Sequence, residues 1–236
     1  MPDIVLIAHG SPDPRHREGL ERLADAVRGR VRPGRAVGVC YLDHHAPSPA
    51  DLAVELGGSA VAVPVLLTPA YHARVDVPRA VEELGSAGSH VRVARPLGPD
   101  RRLLDGCEEL LVGAGVLPRR TTAVAVFVAG SSDTAAVATV AETIAQHPRE
   151  GWGPWRVAAL DGGRAVEEVV AELSLEADEV VAVSFMVAEG VLRDRMAERT
   201  ARLGVELVPG ALSSTGALAD LVVARAAQRL ALMMSV

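Results

Sequence analysis

Short apolar runs alternate with longer stretches of helical period along the whole chain, and the alternation starts over near its middle. In the first half "DIVLIA", "AVGVCYL", "AVAVPVLL" and "HVRVARPL" read as strands. Among them lie the helical stretches "DPRHREGLERLADAVRGR", "SPADLAVEL", "DVPRAVEEL" and "DRRLLDGCEELLVGAG". In the first of these Leu20, Leu23, Ala24 and Val27 recur at the spacing of a helix with one buried stripe. Past "GVLPRR" the strands "TAVAVFVA", "RVAAL", "EVVAVSFMV" and "VELVP" alternate with "SDTAAVATVAETIAQ", "RAVEEVVAEL", "LRDRMAERTARL" and "GALADLVVARAAQRLALMM". Strands that are apolar throughout and joined by helices mark a parallel sheet covered on both faces, because each parallel crossover needs a helix's length of chain. The pattern predicts an α/β fold of two similar Rossmann-like domains, residues 1–117 and 118–236. Each is a central parallel sheet flanked by helices.

The two halves align at a single offset. A shift of 120 positions sets "IAHGSPD" (7–13) over "FVAGSSD" (127–133), matching Gly10, Ser11 and Asp13 with Gly130, Ser131 and Asp133. The same shift sets "VAVPVLLTPA" (61–70) over "VAVSFMVAEG" (181–190). One offset at two separate strand ends points to internal duplication. The halves disagree where chemistry could lie: His9 faces Ala129 and His72 faces Leu192. A requirement of the fold would be shared by both halves, so these imidazoles are candidates for function.

Ligands of parallel α/β sheets bind beyond the carboxyl ends of the strands, near the point where strand order reverses. His9 ends the first strand, His44 and His45 follow the second, and His72 follows the third. His16 lies one turn into the first helix, where it faces either the cleft or water. That helix opens on "GSPDP", where Ser11 or Asp13 can cap and Pro14 suits the first turn. Its positive end disfavours a protonated imidazole at His9, leaving a nitrogen able to bind a metal or accept a proton. Its bare amides suit an anionic group. Tyr71, Arg74 and Arg79 surround His72, and Arg193 and Arg195 occupy the equivalent turn of the second half.

Composition narrows the field. A hydrophobic fraction of 49% supports a sizeable core, built from Val, Leu and Ala because aromatics make up only 3%. The net charge of −6, with no lysine and no basic face, argues against nucleic acid as a partner. Cys40 and Cys107 are far apart and read as buried thiols. "MPDIVLIAHG" is not a signal peptide and no run is long enough to span a membrane, so the expected location is the cytoplasm. Neither GxGxxG nor GxxxxGK[ST] follows the first strand, and GxSxG and HExxH are absent.

"LIAHGSPDPR" (6–15), "YLDHHAPSPADL" (41–52) and "LLTPAYHARVDVPRA" (66–80) together resemble the class II metal chelatases of tetrapyrrole synthesis, the sirohydrochlorin chelatases of the sirohaem and cobalamin routes. The resemblance extends over the whole chain, because the long form of that family has two similar α/β halves facing each other across a cleft. It implies that His9 and His72 are the active-site histidines and the metal ligands, and that Asp43, where relatives often carry glutamate, orients an imidazole or relays a proton. Ser11, Arg15, Tyr71 and Arg74 would hold the substrate sirohydrochlorin, and His44 and His45 are additional. The divalent metal, Fe²⁺ or Co²⁺, would be a substrate, with no cofactor permanently bound. A polyanionic macrocycle on a chain of this charge needs local positive charge at the site. Fe²⁺ insertion leads; Co²⁺ insertion and a non-catalytic tetrapyrrole or metal carrier are the alternatives.

Overall fold

The computed structural model describes residues 3–68, 75–130 and 134–234. The chain forms two compact units, residues 1–98 with 218–236, and residues 99–217.

In the first unit β1 (Asp3–Ala8), β2 (Val37–Tyr41), β3 (Ser59–Pro64) and β4 (His90–Val93) form a wholly parallel sheet in the order β2-β1-β3-β4. Strand order therefore reverses at β1, which is flanked by β2 (Ala8 opposite Tyr41) and by β3 (Ile7 opposite Pro64). β1 is buried along its length because helices cover both faces, which is why it is apolar without alternation. α1 (Pro14–Arg28) buries Leu20, Leu23, Ala24 and Val27, the stripe read from the sequence. α2 (Pro49–Ala53) starts in a capping box, with Ser48 and Asp51 satisfying each other's backbone N–H groups. α3 (Asp76–Gly85) packs Val77, Ala80 and Leu84 against Val5, Ile7, Cys40, Ala60 and Ala62. Both cysteines are buried and unbridged, as expected.

In the second unit β5 (Thr122–Gly130), β6 (Trp155–Asp161) and β7 (Glu179–Ser184) form a parallel sheet in the order β6-β5-β7, the same arrangement about a central first strand. α5 (Thr134–Gln146), α6 (Val166–Leu173) and α7 (Val191–Ala201) accompany it. Phe127, Leu160, Val166, Val169, Leu173 and Met196 fill one face of its core. The expected fourth strand, "VELVP", is reduced to one bridge, Ala182 to Leu207. A proline and a glycine close by, Pro209 and Gly210, leave that short run no length over which to pair.

The units also differ from the expected 1–117 and 118–236. α4 (Arg102–Gly113), the last helix of the first repeat, belongs to the second unit, and α8 (Gly216–Met234), the last helix of the second, belongs from Leu218 onward to the first. The repeats thus exchange their final helices. An amphipathic stripe announces that a helix buries one face and carries no information about which of two equivalent sheets receives it.

α8 carries a buried charge. Arg225 is 5% exposed, and its Nε and Nη2 donate to the carbonyls of Pro96 and Leu97 at 2.8 and 3.0 Å. Arg225→Met removes both bonds and leaves two carbonyls in a dry site. A loss of about 2–3 kcal/mol is expected by chemical denaturation. No helix among the described residues is long and apolar enough to cross a membrane.

Candidate functional site

β1 delivers His9 to the reversal point of the first sheet. The chain turns at once, through Gly10 at φ 98°, into α1, whose N-cap is Asp13. Asp13 Oδ1 accepts the Arg15 N–H at 3.0 Å, and Ser11 Oγ accepts the Asp13 N–H at 3.2 Å. Both proposed cap residues therefore serve the turn. Arg15 is engaged there too: Nε and Nη2 reach the two carboxylate oxygens of Asp13 at 3.0 and 2.6 Å.

The β2 turn is tied directly to His9. The Asp43 N–H donates to the His9 carbonyl at 2.9 Å and the His45 N–H to the Asp43 carbonyl at 2.8 Å. The two segments approach so closely that a Cβ on Gly10 would sit 1.9 Å from the Asp43 carbonyl oxygen. The Asp43 side chain is exposed; Oδ1 accepts the His44 N–H at 2.8 Å and Oδ2 lies 3.4 Å from His44 Nε2.

His9 and Asp43 line one cavity of about 290 Å³ with Leu42, Pro49, Asp76, Arg79, Ala80 and Glu83. Asp76, Arg79, Ala80 and Glu83 recur at the i, i+3, i+4, i+7 spacing of one α3 face, a signal legible in "DVPRAVEEL" that the sequence reading passed over. Three carboxylates stand against one guanidinium, and that one is paired: Arg79 Nε lies 2.9 Å from Glu83 Oε1. The described lining of this pocket is therefore acidic, while Arg74, on which the expected positive charge partly rests, lies outside the described residues. Such a pocket draws a hydrated cation and repels the carboxylates of a polyanion. His72, Tyr71 and Arg74 lie outside the described residues, and with them any geometry between the two histidines.

Two further imidazoles stand near this turn. The His45 ring lies 5.2 Å from that of Tyr41 and 6.5 Å from that of His16. His16 is held down at about 4, chiefly by burial, then by His45 and His9, with Asp13 opposing. The folded protein thus resists protonation that the unfolded chain accepts at pH about 6.5. Its contribution to stability is complete above that pH and lost as pH falls towards 4. Unfolding free energy should drop by about 2 kcal/mol across this window from His16 alone, and His16→Asn should flatten that part of the profile.

The second unit repeats the scaffold without the imidazole. Gly130, at φ 89°, brings the backbone against β6 so that a Cβ would meet the Asp161 carbonyl oxygen at 1.8 Å, as Gly10 does with Asp43. Ala129 stands where His9 does in the first repeat. Arg193 donates to the carbonyls of Val208 and Gly210 at 2.7 and 2.9 Å, a role in holding that loop.

Residues 3–113 match the family model described as CbiX. A sirohydrochlorin cobaltochelatase from Priestia megaterium is 29% identical over 143 residues, covering 56% of this chain and 46% of the relative. The chain thus aligns with about half the length of that curated relative. Among solved structures, SirB from Bacillus subtilis with Fe³⁺ superposes with a TM-score of 0.79 at 17% identity, over 100% of this chain and 98% of that one. The sirohydrochlorin chelatase SirB from Bacillus subtilis subspecies spizizenii, in complex with cobalt, gives 0.69 at 17% identity, over 97% and 95%. At such identities the likeness establishes the fold: two parallel-sheet domains flanked by helices.

Proposed function

We propose that this chain, whose residues 3–113 match the family model described as CbiX, is a class II chelatase that inserts a divalent metal ion into sirohydrochlorin. The observation that carries the reading is His9, an imidazole found in one repeat only, lining an acidic pocket at the reversal point of its sheet. Metal insertion requires an ion to shed water while two pyrrole N–H protons leave the ring. An imidazole can serve as a ligand to the one or an acceptor for the other near neutral pH.

In this proposal the acidic pocket concentrates the hydrated ion, and His9 with His72 hands it to one face of the macrocycle and takes up the protons. Asp43 adds negative charge beside the ion. At about 290 Å³ the pocket suits a hydrated ion and is at the small end for an organic ligand. The macrocycle is therefore assigned to the mouth of the pocket, with its carboxylates turned away from Asp43, Asp76 and Glu83. Tyr71, Arg74, Ser11 and Arg15 are proposed as its contacts. Arg15 can take part only by sharing a guanidinium already bidentate on Asp13.

Fe²⁺ insertion, giving sirohaem, is the leading form. Co²⁺ insertion is the second, favoured by the name of the Priestia megaterium relative. Both ions accept nitrogen and oxygen donors, so the choice rests on fine geometry and supply. The test is anaerobic mixing of catalytic protein with sirohydrochlorin and either ion, followed by visible spectroscopy. A chelatase converts many equivalents, and the faster ion identifies the form. Uptake that stops at one equivalent would make the protein a carrier.

A further inference from the structure

Tyr41, the last residue of β2, is 2% exposed, and its hydroxyl has no hydrogen-bond partner among the described residues. Two other buried polar atoms, Nδ1 of His16 on α1 and Nε2 of His45 after β2, are in the same position. All three belong to one cluster, because the His45 ring is edge-on to Tyr41 with centroids 5.2 Å apart and nearly parallel to His16 with centroids 6.5 Å apart. Buried polar atoms nearly always find partners. Three without one at a single place call for a common explanation.

The spacing of the two imidazoles can be compared with that set by each way of joining them through facing nitrogens. A direct N–H···N bond would bring the centroids to about 5 Å. A metal ion held tetrahedrally by both nitrogens would also set about 5 Å. A bridging water sets a longer separation than either, and the ring centroids stand 6.5 Å apart. We propose that Tyr41 Oη, His16 Nδ1 and His45 Nε2 enclose a buried water, and that this hydrated triad positions the turn that carries His9.

The triad spans both segments that hold His9. His45 is bonded through Asp43 to the His9 carbonyl, and His16 is fastened to the start of α1 by its N–H donating to the Asp13 carbonyl at 3.1 Å. Linking the two across a water fixes the opening between them, as partners behind a metal ligand commonly do. His16, held down to about 4, and Tyr41, pushed up to about 12 by burial, are both uncharged at neutral pH and free to share one water as donors or acceptors. The water does not depend on the chelatase reading; its effect on His9 as a metal ligand rests on it.

Tyr41→Phe tests the triad with the smallest change of shape. A high-resolution crystal structure of the wild type should show a water within hydrogen-bond distance of all three atoms, and Tyr41→Phe should melt lower because that water loses a partner. Titration with Co²⁺ alone, without macrocycle, should show affinity about 10-fold weaker in Tyr41→Phe and in His45→Leu, with His45→Gln restoring most of it. The triad is overturned if the wild-type density holds no such water, or if Tyr41→Phe melts higher, as removal of a dry unpaired hydroxyl would make it. Co²⁺ affinity unchanged in Tyr41→Phe overturns the positioning role. Wild type that binds no Co²⁺ strikes the chelatase reading and the positioning role together, while density and melting temperature still decide the water.

Discussion

His9→Ala should lower kcat for metal insertion by about 1000-fold, a loss typical of removing a group that handles both a ligand bond and a proton, while macrocycle binding changes by less than about threefold. The asymmetry follows from where His9 stands. It lines the pocket at the end of the central strand, where it can meet the ion, whereas contact with the macrocycle is proposed for other residues. The measurement is steady-state insertion of Fe²⁺ and Co²⁺, with binding of metal-free sirohydrochlorin followed separately by its spectrum. Asp43→Asn should behave differently and cost less than about 10-fold. The Asp43 carboxylate is exposed and already accepts the His44 N–H, and an aspartate, Asp161, occupies the matching turn of the repeat that lacks the imidazole. The aspartate that both repeats share adds charge beside the ion, whereas the imidazole that one alone carries handles the ion and the protons. Equal losses in the two variants would remove that distinction.

The fold was legible wherever burial alone decides the residue type. β1, β3 and β5 are covered on both faces, so their sequences are apolar without interruption and announce a parallel sheet. The stripe of α1 and the offset between the repeats were equally plain. The exchange of α4 and α8 was hidden because two sheets of the same design offer the same apolar surface to a helix. His9 was legible through its absence from the second repeat. The acidic wall of its pocket was not weighed, although Asp76, Arg79 and Glu83 keep one helical face, since charges on a helix usually face water. Tyr41 and His45 escaped for another reason: their meeting with His16 depends on the course of the turn after β2, and no periodicity encodes a turn's path. His72, Tyr71 and Arg74 stand on the sequence alone.

Gly10→Ala and Gly130→Ala form a matched pair that separates scaffold from chemistry. Each glycine has positive φ, 98° and 89°, and at each an added methyl carbon would lie under 2 Å from a carbonyl oxygen, of Asp43 at 1.9 Å and of Asp161 at 1.8 Å. Neither contact can be relieved by turning a flexible side chain, because the obstacle is backbone, held at Asp43 by its N–H bond to the His9 carbonyl and at Asp161 by strand pairing with Gly130. Adding the left-handed conformation to that displacement should cost about 3–4 kcal/mol in either unit. For domains of this size that lowers the melting temperature by about 10 °C. Stability should therefore fall alike in the two variants. Activity should not. In the first unit the displaced backbone is the one bonded to the His9 carbonyl, so Gly10→Ala moves the imidazole relative to its pocket and should reduce insertion by about 100-fold at temperatures where the protein stays folded. In the second unit the same displacement moves Ala129, which has no group to misplace, and insertion should remain within about threefold of wild type. Parallel losses of activity would mean that the second turn also contributes to the reaction, and that one imidazole-bearing repeat is not the whole of the catalytic machinery.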